Sequence, residues 1–536
     1  MASHKGGDAT FNNLVNPLLT DFYELTMAYG YWKNGKSEMP AVFDLHFRRC
    51  PFDGEFAVFA GLDEVLGLLS QYRIDDEMIE FIRSRMPGRD PGFFEWLRGV
   101  DCSRVRLYAM REGTLAFPRV PLLTVEGPLA VCQLLETTLL NLVNFPTLMA
   151  TNAARFRLTV GPGKNLLEFG LRRAQGPDGG VSASKYSFVG GFDGTSDVLA
   201  GHLFDIPVRG THAHSWVQSF LGLDEVRGVG LAGPTGSTDD FAGLVLECRK
   251  ELGYERTNDD ELAAFIGYAL AWPDGFLALV DTYDTLKSGI PNFLAVALAL
   301  QRLGHQPRGI RLDSGDLAFL SRAARQLFRA TSERFGVDFA TLNIVASNDL
   351  NEETLAALNL QGHEIDTFGI GTHLVTCQAQ PSLGGVYKLV QVNGYPRIKL
   401  SQDIGKVTIP GRKEAYRLVG ADQSPILDLM VQNGEPAPRP DERILCRHPF
   451  DETKRAYVTP TAVVPLQNLV WDGSVAPDTV RPLAEVRQYV LDQLAVLRPD
   501  HLRVLNPTPY KVSVSERLYE FSHSLWLAEA PVAEIK

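Results

Sequence analysis

The chain has 536 residues, of which 45% are hydrophobic and 22% are charged, and its formal net charge is −12. This composition is typical of an enzyme with two or three packed domains, and the acidic balance argues against a nucleic-acid surface. The N-terminal residues lack the apolar segment of a signal peptide, and the most apolar stretch, 128–150, is interrupted by Glu136 and Pro146. We therefore expect a soluble cytosolic protein that binds neither nucleic acid nor membrane.

Residues 1–150 predict an N-terminal mixed α/β domain. Residues 41–47 (AVFDLHF) alternate, with three apolar side chains on one face, which is typical of a strand. Residues 104–126 predict further strands separated by glycine and proline, and residues 128–150 predict a buried helix. The six cysteines of the chain are widely spaced and form no CxxC pair, which indicates reduced and mostly buried thiols.

Residues 151–385 predict a β/α barrel, because short apolar strands alternate there with longer helical stretches. One helix is expected after the strand 309–313, with Asp313, Ser314 and Asp316 all suited to its start, and Asn351 is expected to cap the next helix. The repetition favours a closed barrel over an open sheet. The candidate strands are 165–169, 204–209, 277–281, 309–313, 342–346 and 365–369.

Polar residues recur at the C-terminal ends of these candidate strands. In a β/α barrel those ends meet on one face, where the active site is built. We therefore expect an active site among these side chains rather than scattered loop polarity. The residues are Glu168, Thr211, His214, Asp281, Arg311, Asp313, Ser347 and Asn348.

Residues 386–536 predict a β-rich segment with helices that packs on the other domains. The run VYKLVQV-NG-YPRIKL predicts a hairpin whose two-residue turn is Asn393-Gly394. Residues 433–442 are rich in proline and glycine and predict a loop. Residues 483–497 carry an apolar stripe at helical spacing and predict a packing helix.

Three short motifs suit a phosphorylated ligand, although each has a plainer interpretation. The turn FGIGT, 368–372, could bring backbone amides to a phosphate, or could be a simple turn. Arg172 beside a glycine-flanked turn could bind phosphate, or could form a surface ion pair. Arg311 and Asp313 share one side of a strand and could hold a phosphorylated sugar, with Asp313 on ribose hydroxyls or Mg²⁺, or could be a structural ion pair.

The HxH pair of His212 and His214 has three possible roles. As a metal pair it lacks an obvious third ligand nearby. Either histidine could pack in the core or cap a helix. A neutral imidazole beside phosphate-binding groups could also attack a phosphoryl group, since histidine is a competent nucleophile.

The motifs as a set resemble those of the nicotinate phosphoribosyltransferase family, in particular its vertebrate type, over nearly the whole chain. Many long matches in one order make the resemblance specific, whereas no single match would. The matching stretches are PLLTDFYELTMAYGYW, FRRCPFDGEFAVFAGL, LLETTLLNLVNFPTLMATNAAR, LEFGLRRAQGPDGG, GGFDGTSDVLAG, GTHAHS, DTYDTLKSGIPNFLAVALAL, GIRLDSGDL and GIGTHLVTCQAQPSLGGVYKL.

This resemblance implies an activity and a fold. The family joins nicotinate to 5-phosphoribosyl 1-pyrophosphate, which gives nicotinate mononucleotide and pyrophosphate in NAD salvage. ATP is a co-substrate that is hydrolysed to ADP and phosphate, as in an ATP-coupled ligase, and the metal is Mg²⁺ or Mn²⁺. The implied fold is the irregular β/α barrel of type II phosphoribosyltransferases with a flanking α+β domain, in a homodimer whose active sites lie at the interface.

The resemblance also implies residue roles. His214, which matches the last histidine of the family's G-T-x-A-H-S, is the residue that ATP phosphorylates, and His212 is incidental. His214, Arg311 and Asp313 are the implied catalytic residues. The implied substrate contacts are Thr211 and Arg311 with the nicotinate carboxylate, Tyr23 (from the second subunit) and Phe169 with the pyridine ring, Ser196 with the base, Gly371 and Thr372 with the 5-phosphate, Arg172 with phosphate, and Asp281 and Asp313 with ribose or, through phosphates, the metal.

Three other functions compete with this one. A nicotinamide phosphoribosyltransferase of the same fold would carry an acidic residue where this chain has Ser196, although Asp197 is adjacent. We expect Asp197 to point elsewhere. A degenerate binding homologue would have lost His214, Arg311 or Asp313, and all three are present. A sugar-phosphate isomerase or aldolase would need a catalytic lysine or glutamate at a strand end and would not account for ATP.

Overall fold

The computed structural model describes residues 14–532. The chain divides into two compact units. The first, the barrel unit, comprises Arg155–Phe188 and Phe192–Gln378. The second, the flanking unit, takes in the chain up to Ala154, the short stretch Val189–Gly191 and the chain from Ala379 onward. The predicted domain boundaries at 150 and 385 lie close to the points where the chain passes from one unit to the other. The predicted N-terminal and C-terminal segments belong to the same unit.

Helices and strands occur throughout the described residues. The helices are α1 (Phe22–Lys33), α2 (Leu62–Gln71), α3 (Asp76–Arg85), α4 (Pro91–Arg98), α5 (Leu129–Leu134), α6 (Glu136–Val160), α7 (Gly176–Val189), α8 (Val198–Phe204), α9 (His214–Gln218), α10 (Phe241–Leu252), α11 (Asp259–Ala271), α12 (Ile290–Arg302), α13 (Leu317–Phe335), α14 (Glu352–Gln361), α15 (Thr372–Val375), α16 (Leu483–Val496) and α17 (Glu516–Glu529). The strands are β1 (Pro40–Phe47), β2 (Ala57–Val58), β3 (Arg106–Ala109), β4 (Leu115–Ala116), β5 (Leu123–Pro128), β6 (Asn165–Glu168), β7 (Gly194–Thr195), β8 (Leu231–Gly233), β9 (Gly236–Thr238), β10 (Leu277–Leu279), β11 (Gly309–Leu312), β12 (Asn343–Ser347), β13 (Thr367–Ile370), β14 (Gly385–Val392), β15 (Tyr395–Pro396), β16 (Lys413–Val419), β17 (Pro425–Gln432), β18 (Ile444–Arg447), β19 (Arg455–Val458), β20 (Ala462–Pro465), β21 (Asn468–Asp472) and β22 (Val512–Ser515).

The barrel unit is built on a six-stranded sheet in the order β10-β11-β12-β13-β6-β7. All neighbouring strands in it are parallel. The segment after β7 continues this sheet, because Val208 bridges Thr195 in parallel and the Leu279 amide on β10 donates to the His212 ring at 3.2 Å. The segment therefore joins the two edge strands, β7 and β10. Its join to β10 is made by the His212 side chain, which is what makes the predicted β/α barrel irregular.

One predicted barrel strand is wrong. Residues 204–209 do not form a strand, because α8 runs to Phe204 and only Val208 makes a bridge. The strand in this position is β7, which has two residues and precedes α8. The other five strands were predicted within a few residues of their observed ends.

The predicted caps Asp316 and Asn351 are confirmed, whereas Asp313 and Ser314 precede α13 and bond other residues. The Asp316 carboxylate accepts from the Phe319 amide at 2.9 Å and caps α13, and the Asn351 side chain accepts from the Thr354 amide at 2.8 Å and caps α14. These side-chain oxygens satisfy amides that have no partner within the helix. Helix α12 is buried at every position from Ile290 to Leu300 and forms the centre of the helical layer.

The flanking unit contains two six-stranded sheets. The first has the order β15-β14-β1-β5-β3-β21, so β1 is central and is buried on both faces rather than on the one expected. The second has the order β19-β18-β22-β17-β16-β20. The predicted hairpin is β14–β15, and its turn residues Asn393 and Gly394 have φ of 50° and 80°, as a type I′ turn requires.

The sequence prediction for the cysteines is confirmed in the described residues. All six cysteines are free, and all except Cys50 are buried. Within residues 14–532, no helix combines the length and the apolar composition needed to cross a bilayer.

Candidate active site

Arg311 and Asp313 lie together at the end of β11 and form the centre of the site. Arg311 Nη2 donates to Asp313 Oδ1 at 3.0 Å. The Ser347 hydroxyl at the end of β12 joins them, since it accepts from Arg311 Nε at 2.7 Å and donates to Asp313 Oδ1 at 2.5 Å. Strand-end residues on neighbouring parallel strands thus form one hydrogen-bonded cluster, as the barrel architecture predicted.

Arg311 retains donors for a further partner. Its Nη1 contacts the Thr211 hydroxyl at 3.4 Å. A guanidinium has five N–H donors in a planar fork, and the contacts to Ser347, Asp313 and Thr211 use three of them. The side chain is 16% exposed. A small anion can therefore reach a cation that is oriented by the protein and shielded from most of the solvent.

Phe169 provides an aromatic surface beside this cation. The Arg311 guanidinium carbon lies 5.5 Å from the centre of the Phe169 ring. The ring covers Gly369 on β13, where an added Cβ would come within 2.4 Å of a ring carbon. Any side chain at position 369 would displace the ring, so the glycine leaves the space that the Phe169 ring occupies.

His214 is the first residue of α9 and faces the same cluster. Its Nδ1 hydrogen-bonds the Thr282 hydroxyl at 3.0 Å, and its Nε2 lies 3.8 Å from Asp313 Oδ2. The imidazole is 41% exposed. The ring is thus held at one nitrogen while the other points toward the carboxylate and remains accessible.

His212 has a structural environment. Its side chain is 8% exposed and lies against Tyr268, with ring centres 4.8 Å apart. Burial lowers its pKa to about 4, so the ring is neutral near pH 7. Its Nε2 accepts from the Leu279 amide, as described above. The prediction that His212 is incidental to chemistry agrees with this packing.

Asp281 lies just beyond β10 and contacts the residues that follow β11. Its Oδ2 accepts from the Asp313 amide at 3.1 Å and from the Ser314 hydroxyl at 2.5 Å. Its Oδ1 is buried and receives no hydrogen bond from the described residues. Such an oxygen suits a sugar hydroxyl or a hard cation.

The loop after Asp281 rests on a buried carboxyl group. The loop ends in a π-helical turn, Thr285–Gly289, that precedes α12. The buried Glu261 carboxyl accepts from the Ser288 hydroxyl at 2.5 Å and from Asn292 Nδ2 at 3.0 Å. Burial raises the pKa of Glu261 to about 7.

Ser196 lies beside Phe169 at the end of the sheet. Glu168 pairs with Thr195, so Phe169 and Ser196 are the next residues along two neighbouring strands. Ser196 is partly exposed, whereas Asp197 is 2% exposed and caps α8 by accepting from the Leu199 amide at 2.9 Å. The Asp197 carboxylate therefore points into a helix N-terminus, as expected.

The remaining predicted residues lie outside this cluster. The expectation that Glu168 lines the site is wrong, because its side chain is 0% exposed, and the exposed Asn348 accepts from the Asp349 amide. Gly371 and Thr372 are half-buried at the start of α15, and Arg172 is exposed on the turn Leu171–Arg173. Tyr23 belongs to the flanking unit, on α1, and is 44% exposed. Burial, with Glu136 nearby, raises the pKa of Tyr23 to about 12, so its hydroxyl stays protonated.

A preformed metal cage is not part of the site. In residues 14–532 no group of three or more histidine, cysteine, aspartate or glutamate side chains could hold a metal ion. A metal at Asp281 and Asp313 would need ligands from the substrate, which is how Mg²⁺ commonly binds at phosphate-handling sites.

Sequence reasoning gave no site role to two residues that the structure brings into the cluster, whereas Ser347 was expected there from its strand-end position. Thr282 and Ser314 each follow a predicted site aspartate by one residue. Their positions after strands were the only signal, and hydroxyl residues there are too common to be assigned a partner.

The strand ends of this barrel thus gather a shielded arginine, two aspartates, an accessible histidine and an aromatic face, which define an enzyme that acts on small anionic molecules. The family models for the N-terminal and C-terminal domains of nicotinate phosphoribosyltransferase match residues 18–144 and 412–522. The chain belongs to the nicotinate phosphoribosyltransferase family.

Individual relatives match over nearly the full length. Nicotinate phosphoribosyltransferase 1 of Arabidopsis thaliana is 55% identical, with 98% of this chain and 96% of the relative covered. The Homo sapiens enzyme is 47% identical, with 96% and 98% covered. The crystal structure of human nicotinic acid phosphoribosyltransferase superposes with a TM-score of 0.82 at 44% identity, over 94% of this chain and 99% of that chain.

Proposed function

We propose that the chain transfers the phosphoribosyl group of 5-phosphoribosyl 1-pyrophosphate to nicotinate, forming nicotinate mononucleotide and pyrophosphate for NAD salvage. The observation that carries this proposal is the Arg311–Thr211 contact beside the Phe169 ring, within a chain 47% identical to the human enzyme. Arg311 offers a cation with free N–H donors, and Phe169 offers a flat apolar face. Nicotinate has a carboxylate and a flat ring, so it matches both.

The acceptor base is oriented by three groups of the barrel unit. Its carboxylate takes hydrogen bonds from Arg311 and Thr211, and its ring stacks on Phe169. Ser196 presents a neutral hydroxyl near the ring. Because the carboxylate of the base is fixed, the ring nitrogen can be held facing the reacting sugar carbon. Enzymes use such positioning to accelerate bimolecular steps.

The phosphoribosyl donor lies toward Asp313, Asp281 and the start of α15. The two carboxylates suit ribose hydroxyls, and Gly371 and Thr372 suit the 5-phosphate, with Arg172 as a further phosphate contact. Mg²⁺ or Mn²⁺ held by the substrate phosphates beside Asp281 Oδ1 and Asp313 would neutralise charge on the leaving pyrophosphate. Because the sugar carbon becomes positively charged as that bond breaks, the two nearby carboxylates also favour the transition state.

ATP enters as a co-substrate that phosphorylates His214. With Nδ1–H donated to Thr282, the lone pair of Nε2 is free to attack the terminal phosphorus of ATP. The bond from Nε2 to phosphorus forms, the bond from phosphorus to the bridging oxygen breaks, and ADP leaves. Water later takes the phosphoryl group to give phosphate. The negative charge added beside Asp313 changes the charge balance around Arg311 and couples ATP cleavage to transfer.

The working form is a cytosolic homodimer in this proposal. Tyr23 is supplied by the second subunit and covers the face of the base opposite Phe169. The free, mostly buried cysteines suit a reducing compartment.

The substrate test compares two bases. A nicotinamide phosphoribosyltransferase needs a carboxylate toward the base, and Ser196 is not one, while Asp197 caps α8. Purified protein with phosphoribosyl pyrophosphate should convert nicotinate to its mononucleotide and leave nicotinamide unchanged, by chromatographic product analysis. Ser196→Asp should raise the KM for nicotinate by about tenfold or more, because it adds a repelling charge. Preferential use of nicotinamide by the wild type would overturn the proposal.

A further inference from the structure

Glu168 is a buried carboxyl group that contacts three segments near Ser196. Its side chain is 0% exposed, so it lies behind the site and does not face substrate. One carboxyl oxygen accepts from the Gly170 amide, in the turn that follows Phe169. The other accepts from the Ser184 hydroxyl on α7 at 2.8 Å and from the Thr195 hydroxyl on β7 at 2.5 Å.

This network continues through Thr195 into Asp197. The Thr195 hydroxyl donates to Glu168 and accepts from the Asp197 amide at 2.9 Å. The Glu168 backbone carbonyl accepts from the Ser196 amide at 2.9 Å. The residues on both sides of Ser196, and its own backbone, are therefore tied to one glutamate.

The network also keeps the Asp197 carboxylate away from the exposed side of the strand. Asp197 Oδ1 accepts from the amides of α8, and its Oδ2 lies 3.3 Å from the same Ser184 hydroxyl that donates to Glu168. Two carboxyl groups thus share one buried hydroxyl. A change of register by one residue at this point would exchange a neutral hydroxyl for a carboxylate at the site.

We propose that Glu168, acting through Thr195, is a positioning residue that determines base specificity by presenting Ser196 and withholding Asp197. This inference rests on the proposed function, since it concerns how the same site chooses nicotinate. Glu168 and Thr195 touch the residues that face the base and do not touch the base. Substituting either residue should therefore change the KM for the base and leave the KM for phosphoribosyl pyrophosphate nearly unchanged.

The test uses Thr195→Val, which keeps the shape of the side chain and removes the hydroxyl. We expect the KM for nicotinate to rise by about tenfold and the KM for phosphoribosyl pyrophosphate to stay within about twofold. The ratio of kcat/KM for nicotinate to that for nicotinamide should fall. Thr195→Ser, which restores the hydroxyl, should return all three values toward the wild type.

Glu168→Gln provides a second variant in case Thr195→Val folds poorly. Its amide has a single accepting oxygen, which cannot accept from both the Gly170 amide and the Thr195 hydroxyl, so the network is broken and the same KM split is expected. Thr331→Val is the matched control, because Thr331 is buried on α13 and bonds only the Leu327 carbonyl of its own helix in the described structure. It should leave both KM values unchanged.

The outcomes separate the inference from the proposed function. Wild-type protein that forms no nicotinate mononucleotide removes the proposed function and the inference with it. Active wild type with an unchanged nicotinate KM in a folded Thr195→Val variant overturns the inference alone. Equal rises in both KM values, or a change that Thr195→Ser does not reverse, would also overturn it, because either would mean a general packing role.

Discussion

Ser347 offers a test of how Arg311 is oriented in the site. It is 4% exposed and bridges Arg311 and Asp313. Ser347→Ala leaves Arg311 Nε without this acceptor, which costs about 1–3 kcal/mol of binding or orientation. We expect the KM for nicotinate to rise about tenfold or more, measured by steady-state kinetics with saturating phosphoribosyl pyrophosphate.

Ser187→Ala is the matched control for this variant. Ser187 is also buried, but its hydroxyl bonds the Ser184 carbonyl within α7. It should alter thermal stability slightly and the nicotinate KM not at all. A nicotinate KM equal to the wild-type value in Ser347→Ala would show that the bridge does not orient Arg311.

The sequence predicts Arg311, Asp313, Thr211 and Ser347 as members of the site, but it does not predict which of them form hydrogen bonds with one another. Arg311 and Asp313 stand two apart on a strand, so their shared side follows from the period of a strand. The pairing of Arg311 with Thr211 and Ser347 depends on which strands are neighbours. That is decided by tertiary packing, which local spacing does not encode.

Among the elements, the π-helical turn Thr285–Gly289 has a pH-dependent anchor in Glu261. Burial raises the pKa of Glu261 to about 7, with Asp281 and Asp284 adding repulsion. In the unfolded chain the carboxyl ionises near its ordinary, lower pKa. Between that pH and about pH 7 the folded state therefore holds the extra proton, so stability is full at low pH and is lost as the pH rises.

Glu261→Gln removes this dependence, because the amide stays neutral. From about pH 5 to about pH 8 the wild type should lose on the order of 2 kcal/mol relative to the variant. The measurement is Tm against pH for both proteins, with Glu353→Gln, an exposed change on α14, as the control. Parallel Tm curves for wild type and Glu261→Gln would contradict the assigned pKa.

Elements were predictable where they were long and periodic. Helix α13 and its Asp316 cap follow directly from an apolar stripe and a capping residue. Strand β7 has two residues, too few to show a period of two, so it was missed. The residues at 204–209 look apolar enough for a strand, but Asp197 starts a helix that occupies the first of them.

In the proposed homodimer, we expect each active site to be completed by both subunits. Tyr23→Ala lacks one stacking face and His214→Ala lacks the phosphorylated residue, so each variant alone should be poorly active. A mixed dimer of the two variants would contain one intact site and one doubly altered site, so random subunit exchange would restore about a quarter of all sites. Partial recovery of activity after mixing and subunit exchange is therefore expected, with size-exclusion mass as the check on assembly.

Mixing two preparations of the same variant is the control for dilution and refolding effects. No recovery in the mixed sample, with subunit exchange demonstrated by mass, would mean that Tyr23 and His214 of one chain act in the same site.

The organisation of the units was the feature of the whole chain that the sequence predicted least well. Strand β1 pairs with β14, and β3 pairs with β21, so one sheet joins distant parts of the chain. The local pattern of apolar residues does not indicate which distant strands pair.

The role of His214 is tested by measuring nicotinate mononucleotide formation with and without ATP, for wild type and His214→Ala. We expect ATP to stimulate the wild type and an acid-labile phosphoryl group to appear on the protein. In His214→Ala, which keeps Arg311 and Asp313, a slower reaction indifferent to ATP is expected. ATP stimulation that survives in His214→Ala would contradict the claim that this histidine couples ATP cleavage to transfer.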